Sequence, residues 1–342
     1  MKEQFMAGRF GQRHVSLGMR WQNLLLCLLL IGPWSSHQGF AANSVDFQQA
    51  WLDLTTLADD RMAGRATGTV GSQLAQNYIL ARFEELGLTP FNGNYRQKFI
   101  HDFSLGSPLM GTNLIGLRKG CLQPEHYIII TAHYDHLPAM GRKIYNGADD
   151  NASGVAGLLY LAKLSGEKCP AYSQIFVATD GEERGLYGAK SFWAKLDFKP
   201  QVVLNINLDM ISRGEKSAKL YVAGSKTFPQ LKTLAQQINQ PQAPVKLVLA
   251  RDRKTPQLRG LSSAELIDWP NASDHAVFRR AGIPYCYYGV DDHPQYHTVD
   301  DDWQRIDKNF YQAVLAIIAK GWQFADEQPL SVYQALRKPA SN

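Results

Sequence analysis

Cysteine is scarce: Cys27, Cys121, Cys169 and Cys286 are the only four in 342 residues. No two of them stand in Cys-x-x-Cys spacing, which argues against a zinc-finger or thioredoxin-like site. Runs of lysine and arginine of the kind that track phosphates are missing from the body of the chain, so a nucleic-acid partner has little support. The His-Glu-x-x-His signature, the Gly-x-Ser-x-Gly elbow and the glycine pair of a dinucleotide-binding loop are absent too. The apolar run 24–34 is well short of the roughly 20 residues that a membrane-spanning helix needs. What is present is a globular balance, 45% hydrophobic and 20% charged, long enough for one large α/β domain or two modest ones.

The short apolar run has a meaning of its own. Lys2, Arg9, Arg13 and Arg20 precede it and Gly39, Ala41 and Ala42 follow, which is the layout of a secretory signal peptide cleaved near Ala41. Residues 1–41 are therefore expected to be a signal peptide and 42–342 a single catalytic domain. Export to the periplasm or the external medium follows, with no stable membrane span after cleavage. Met19, directly before Arg20, offers an alternative start. Cleavage removes four basic residues and one acidic residue, so the net charge falls from +5 to +2. Cys27 leaves as well, and the three remaining cysteines allow one disulfide in an oxidising compartment.

Beyond the signal, Leu74, Ala75, Tyr78, Ile79, Arg82, Phe83 and Leu86 recur at near-helical spacing, closed by Gly87 as a C-cap. Apolar runs at 113–117, 127–132, 175–178, 202–208 and 285–289 read as buried strands. Segments 152–164, 186–194, 228–238, 274–281 and 309–324 read as helices between and after them. The alternation predicts an α/β fold with a mostly parallel mixed central sheet sandwiched by helices. Ligands of such sheets collect beyond the carboxyl ends of the strands.

Those ends are rich in one chemistry. Strand 127–132 runs into His133, Tyr134, Asp135 and His136; 175–178 runs into Asp180, Glu182 and Glu183; 202–208 runs into Asp209; and Gln295 to Asp302 reads QYHTVDDD after the last strand. Asp149 and Asp150 stand in NGADDNASG, just before a helix. Singly, these are turn histidines, helix caps or solvated acids. Five chain-ordered segments all delivering His, Asp or Glu are improbable as coincidence, and the set suits Zn²⁺ or a similar divalent ion with a carboxylate able to bridge two of them.

The pieces AHYDH, NGADDNASG, DGEERGLYG, NLDM, SDH and YHT, in this order and spacing, resemble the M28 family of zinc peptidases. The likeness runs from about Leu57 to the carboxyl-terminal helix and includes GRATGTVGS. The resemblance implies a zinc-dependent exopeptidase fold and two Zn²⁺ ions bridged by Asp150, with His133 and Asp209 on one ion and Glu183 and His297 on the other. It further implies Glu182 as general base on a metal-bridged water, a cis peptide after Asp150, and Tyr296 as donor to the tetrahedral oxyanion. Asp135 is expected behind His133, and Asp301 behind His297. Some relatives carry a tyrosine three residues before the SDH serine where this chain has Pro270, which leaves Tyr296 as the oxyanion donor.

The activity expected from this likeness is aminopeptidase cleavage of peptides. Two enzymatic alternatives stay open: a carboxypeptidase for acidic dipeptides, for which Arg251, Arg253 and Arg259 supply cations, and a one-zinc glutaminyl cyclase. A receptor-like module that lost its chemistry should lack ligands or the base, and none is missing. Leu258, Leu261, Leu266 and Trp269 either line a side-chain pocket or pack inward beneath a surface loop.

Overall fold

Successive side chains of a strand point to opposite faces, and here both faces are apolar. Ile128, Ile130, Ala132, Phe176 and Ala178 enter one core layer, while Ile129, Ile175 and Val177 enter another. A sheet apolar on both sides must be covered on both sides. The protein, seen in a computed structural model, is described over residues 44–102, 106–214, 216–252 and 267–337. The expected signal peptide lies outside these residues, as do Arg253, Leu258, Arg259, Leu261 and Leu266.

Nine strands form one sheet among the described residues: β1 Thr89–Pro90, β2 Arg96–His101, β3 Leu109–Arg118, β4 Gln123–His133, β5 Tyr172–Thr179, β6 Val202–Leu208, β7 Lys219–Ala223, β8 Lys246–Leu249 and β9 Tyr285–Gly289. Their order is β1-β3-β5-β4-β6-β9-β7-β8, with β2 also paired to β3. The four central strands β5, β4, β6 and β9 run parallel, so their carboxyl ends share one edge. β3 and β7 flank this group in antiparallel pairing.

Among the described residues the α-helices are α1 Ser44–Leu57, α2 Val70–Glu85, α3 Gly154–Glu167, α4 Tyr187–Ala194, α5 Leu231–Ile238, α6 His275–Arg280, α7 Lys308–Asp326 and α8 Leu330–Leu336. Leu54, Ile79, Phe83, Leu158 and Leu315 bring α1, α2, α3 and α7 onto the first layer. Ala189, Phe192, Val277 and Phe278 bring α4 and α6 onto the second. Gly87, at φ +64, follows α2 in the left-handed conformation that a C-cap glycine supplies.

Strands 202–208 and 285–289 have the bounds expected from sequence. Helix 152–164 departs from expectation: a π turn, Ala148–Ser153, precedes α3 and carries Asp149 and Asp150. Cys121 and Cys169 form a disulfide spanning 48 residues, and Cys286 is buried and free. In the loop-entropy model a crosslink of that span stabilises by roughly 4 kcal/mol. No helix among the described residues is long and apolar enough to cross a membrane.

Candidate metal centre

The parallel strands deliver their polar ends to one place. His133 closes β4, Glu182 and Glu183 follow β5, Asp209 follows β6, His297 lies beyond β9, and Asp150 stands before α3. His133 Nε2 is 3.3 Å from Asp150 Oδ1 and 3.2 Å from Asp209 Oδ1. His297 Nε2 is 3.1 Å from Asp150 Oδ2 and 3.2 Å from Glu183 Oε1. The two oxygens of Asp150 thus face two different clusters. Ligands held roughly 2.0–2.1 Å from a tetrahedral zinc stand about 3.3 Å apart, which matches these spacings. His297 Nε2 makes no hydrogen bond to its two close oxygens, as expected where a cation, not a proton, joins them.

Charge gives a second, independent test of fit. Asp135, Asp150, Glu182, Glu183, Asp209 and Asp274 gather around the imidazoles of His133, His136 and His297, all buried or half-buried. Burying such an acidic excess is costly unless cations offset it. Burial opposes the charged form of His133, yet Asp209 and Glu182 outweigh it and hold its pKa well above the ordinary value. Burial, with Asp209, Asp274 and Glu183 adding to it against His133, raises Glu182 well above the usual carboxylate range. Asp274, bonded by the Thr179 hydroxyl, is pushed up to about 6 mainly by burial. His275, its neighbour in SDH, faces away: it lies 2.8 Å from the Trp269 carbonyl, and burial lowers its pKa to about 3.

The surrounding bonds fix Asp150 from several sides. The Asp150–Asn151 peptide is cis, as the resemblance implied. The Asn151 amide donates to the Leu208 carbonyl at 3.0 Å and accepts from Gly154 N–H at 2.9 Å, tying the Asp150 turn to the end of β6. Asp149 accepts the Ser212 N–H and hydroxyl at 2.7 Å each and lies 3.0 Å from His293 Nε2. Asp301 departs from expectation. Its two oxygens accept the N–H groups of Asp149 and Asp150 at 3.0 Å each, so it braces the shared aspartate and not His297.

Asp135 is also corrected in detail: its main-chain carbonyl, at 3.1 Å, is closer to His133 Nδ1 than its carboxylate, at 3.8 Å. That carboxylate accepts the Glu182 N–H at 3.1 Å. Tyr296 stacks on His297 with centroids 3.8 Å apart. Burial first, then Asp150, Asp209, Glu183 and Glu182, raises its phenol pKa. Trp269 packs inward with Ala223, Ala250, Tyr285 and Tyr287, the second of its two expected placements.

Three contributors carry no assignment in the sequence reading. Arg65, within GRATGTVGS, is fully buried and donates to the carbonyls of Leu57, Tyr134, Asn146 and Gly147 at 2.6–3.0 Å. Tyr287 is buried on β9, its pKa raised well above ordinary by burial and then by Asp209 and Glu182. His136 joins the Glu183 cluster; its only sequence sign is a second imidazole three residues after His133. A cavity of 380 Å³ borders that cluster, lined in part by Thr67, Leu109, His136, Glu183 and Arg184.

A model of peptidase family M28 matches residues 113–321, which include His133, Asp150, Glu182, Glu183, Asp209 and His297. The chain belongs to peptidase family M28. It is 30% identical over 237 residues to aminopeptidase YwaD of Bacillus subtilis, covering 66% of this chain and 45% of that protein. It is 31% identical over 168 residues to the alkaline phosphatase isozyme conversion protein of Escherichia coli, covering 45% of this chain and 48% of that one. The chain thus spans about half the length of these relatives. The solved zinc aminopeptidase BSAP of Bacillus subtilis shares the fold at TM-score 0.61 and 17% identity, over 81% of this chain and 95% of that chain. Glutaminyl cyclase of Porphyromonas gingivalis shares it at TM-score 0.58 and 21% identity, over 83% and 98%. M28 membership therefore rests on sequence, and the structural likenesses speak to fold alone.

Proposed function

We propose that this chain is a two-zinc aminopeptidase that acts in an oxidising, extracytoplasmic compartment. The observation that carries the reading is the division of Asp150, one oxygen toward His133 and Asp209 and the other toward His297 and Glu183. The Cys121–Cys169 disulfide supports the compartment. Two divalent ions held by these residues would supply a water of lowered pKa and a polarised carbonyl.

Glu182, as the carboxylate, is the group that carries the proton from water to leaving amine. Its carboxylate lies within 4.8 Å of the His133 and Asp209 donor atoms, and its partner Glu183 is already engaged by His297. It accepts a proton from the water that attacks the scissile carbonyl. It then returns that proton to the departing amine nitrogen as the C–N bond breaks. Tyr296, beside His297, donates to the developing oxyanion.

The acidic excess favours a substrate with a free, cationic amino terminus. Acidic dipeptide carboxylates would instead call for arginines; Arg65 is consumed by main-chain carbonyls, and Arg253 and Arg259, two of the three cations named for that alternative, lie outside the described residues. Matched peptides with free and acetylated amino ends test this. Cleavage confined to the free-amine peptides, one residue at a time, is the expected result. Preference for acetylated acidic dipeptides, or cyclisation of amino-terminal glutamine, would refute it.

A further inference from the structure

We propose that His136 is a direct ligand of the second cation, so that this site is closed by four protein donors while the His133 site keeps an open position. The proposal rests on the two-cation reading above. His136 Nδ1 lies 2.8 Å from Glu183 Oε1 and 3.5 Å from Asp150 Oδ2. His297 Nε2 approaches these same two oxygens, from 3.2 and 3.1 Å. All four donor atoms lie within 4.8 Å of one another. The measured separations scatter around the roughly 3.3 Å edge of a tetrahedral zinc site.

The ring is built into this position. Its side chain is fully buried, and its Nε2 meets no hydrogen-bond partner. Gly147, at φ +54, leaves the space it occupies: a Cβ there would stand 2.5 Å from the imidazole Cδ2. A residue whose only task was to donate to Glu183 needs one oxygen in reach. His136 instead faces the two oxygens that His297 also faces, and with it completes a four-cornered set.

The consequence is unequal sites. The second ion has four protein ligands, His136, Asp150, Glu183 and His297. The first has three, His133, Asp150 and Asp209, and keeps a free position, as catalytic zinc sites do. The second site should therefore fill first and empty last.

The test is metal binding by the full chain. Zinc is titrated into metal-free wild type, His136→Ala and His136→Asn against a chromophoric competitor, after circular dichroism has shown that the variants fold. Asparagine can place an N–H where His136 Nδ1 stands, so it preserves a hydrogen bond to Glu183 but makes a poor ligand. Removing an outer hydrogen-bonding partner of a metal site costs about 10–100-fold in affinity. The expected result is a loss beyond 100-fold at one of two sites in both variants, with the other site unchanged. A smaller loss, or recovery with asparagine, overturns the proposal.

A second measurement on the wild type does not depend on any variant folding. In the chain labelled with ¹⁵N-histidine and loaded with ¹¹³Cd, three imidazoles are expected to show nitrogen–cadmium coupling. Coupling from two alone overturns the His136 role and leaves the two-cation reading standing. Failure of the wild type to bind metal would sink that reading itself.

Discussion

Replacing Glu182 with glutamine is expected to lower turnover by about 10²–10⁴-fold while leaving metal content intact, the range general acid–base catalysis contributes. That loss corresponds to roughly 3–5 kcal/mol at the transition state. The argument separates two neighbouring glutamates by their contacts. Glu183 Oε1 is engaged by His136 and His297, so its oxygen is committed to the cluster. Glu182 is placed by its own N–H, which donates to Asp135 at 3.1 Å, and its carboxylate is left near His133 and Asp209. Glutamine keeps the shape and removes the ability to take a proton. Zinc analysis beside steady-state kinetics checks both halves. A variant that loses zinc along with activity would make Glu182 a ligand, and one that keeps activity would remove it from the proton path.

Arg65→Met is expected to destabilise the fold by roughly 3–5 kcal/mol and to weaken metal binding. The guanidinium is fully buried and satisfies four main-chain carbonyls. Burial lowers its pKa to about 10, with Asp150 and Asp301 opposing, so it stays charged at neutral pH. Methionine fills the stem's space but strips the Leu57, Tyr134 and Asn146 carbonyls of this donor, while Gly147 keeps the Ala152 N–H at 3.1 Å; each orphaned acceptor costs about 1–3 kcal/mol. Tyr134 follows His133, and Asn146 and Gly147 lead into Asp150, so the arginine ties two ligand-bearing turns together. Lysine keeps the charge, yet a compact ammonium cannot reproduce the planar fork. It should recover only part of the stability. Urea unfolding of metal-free wild type, Arg65→Met and Arg65→Lys measures the effect. A shift below about 1 kcal/mol for Arg65→Met would contradict the bracing role.

The sequence is most informative where a single physical rule dominates. Strands 202–208 and 285–289 are fully buried because they lie in the sheet's centre, covered on both faces, and read as apolar runs that only Asn205 and Asn207 interrupt. Strand Arg96–His101 escapes notice because an edge position tolerates polar, half-exposed residues, and Lys246–Leu249 because four residues are too few to show a pattern. The acids and imidazoles at strand ends are legible as a set, since parallel strands must bring them together. Asp301 is misplaced by proximity: its neighbour in sequence is His297, but it bonds to N–H groups about 150 residues away. Arg65 has no local sign, because its partners are main-chain carbonyls that any residue could offer. His136 is hidden beside His133, since one imidazole already accounts for that strand end.

The most direct test of the account is a zinc titration of the metal-free chain, followed by release of the first residue from a free-amine peptide. Activity is predicted to depend on zinc and to reach its maximum only at two equivalents per chain. Full activity at one equivalent, or activity indifferent to zinc, would contradict it.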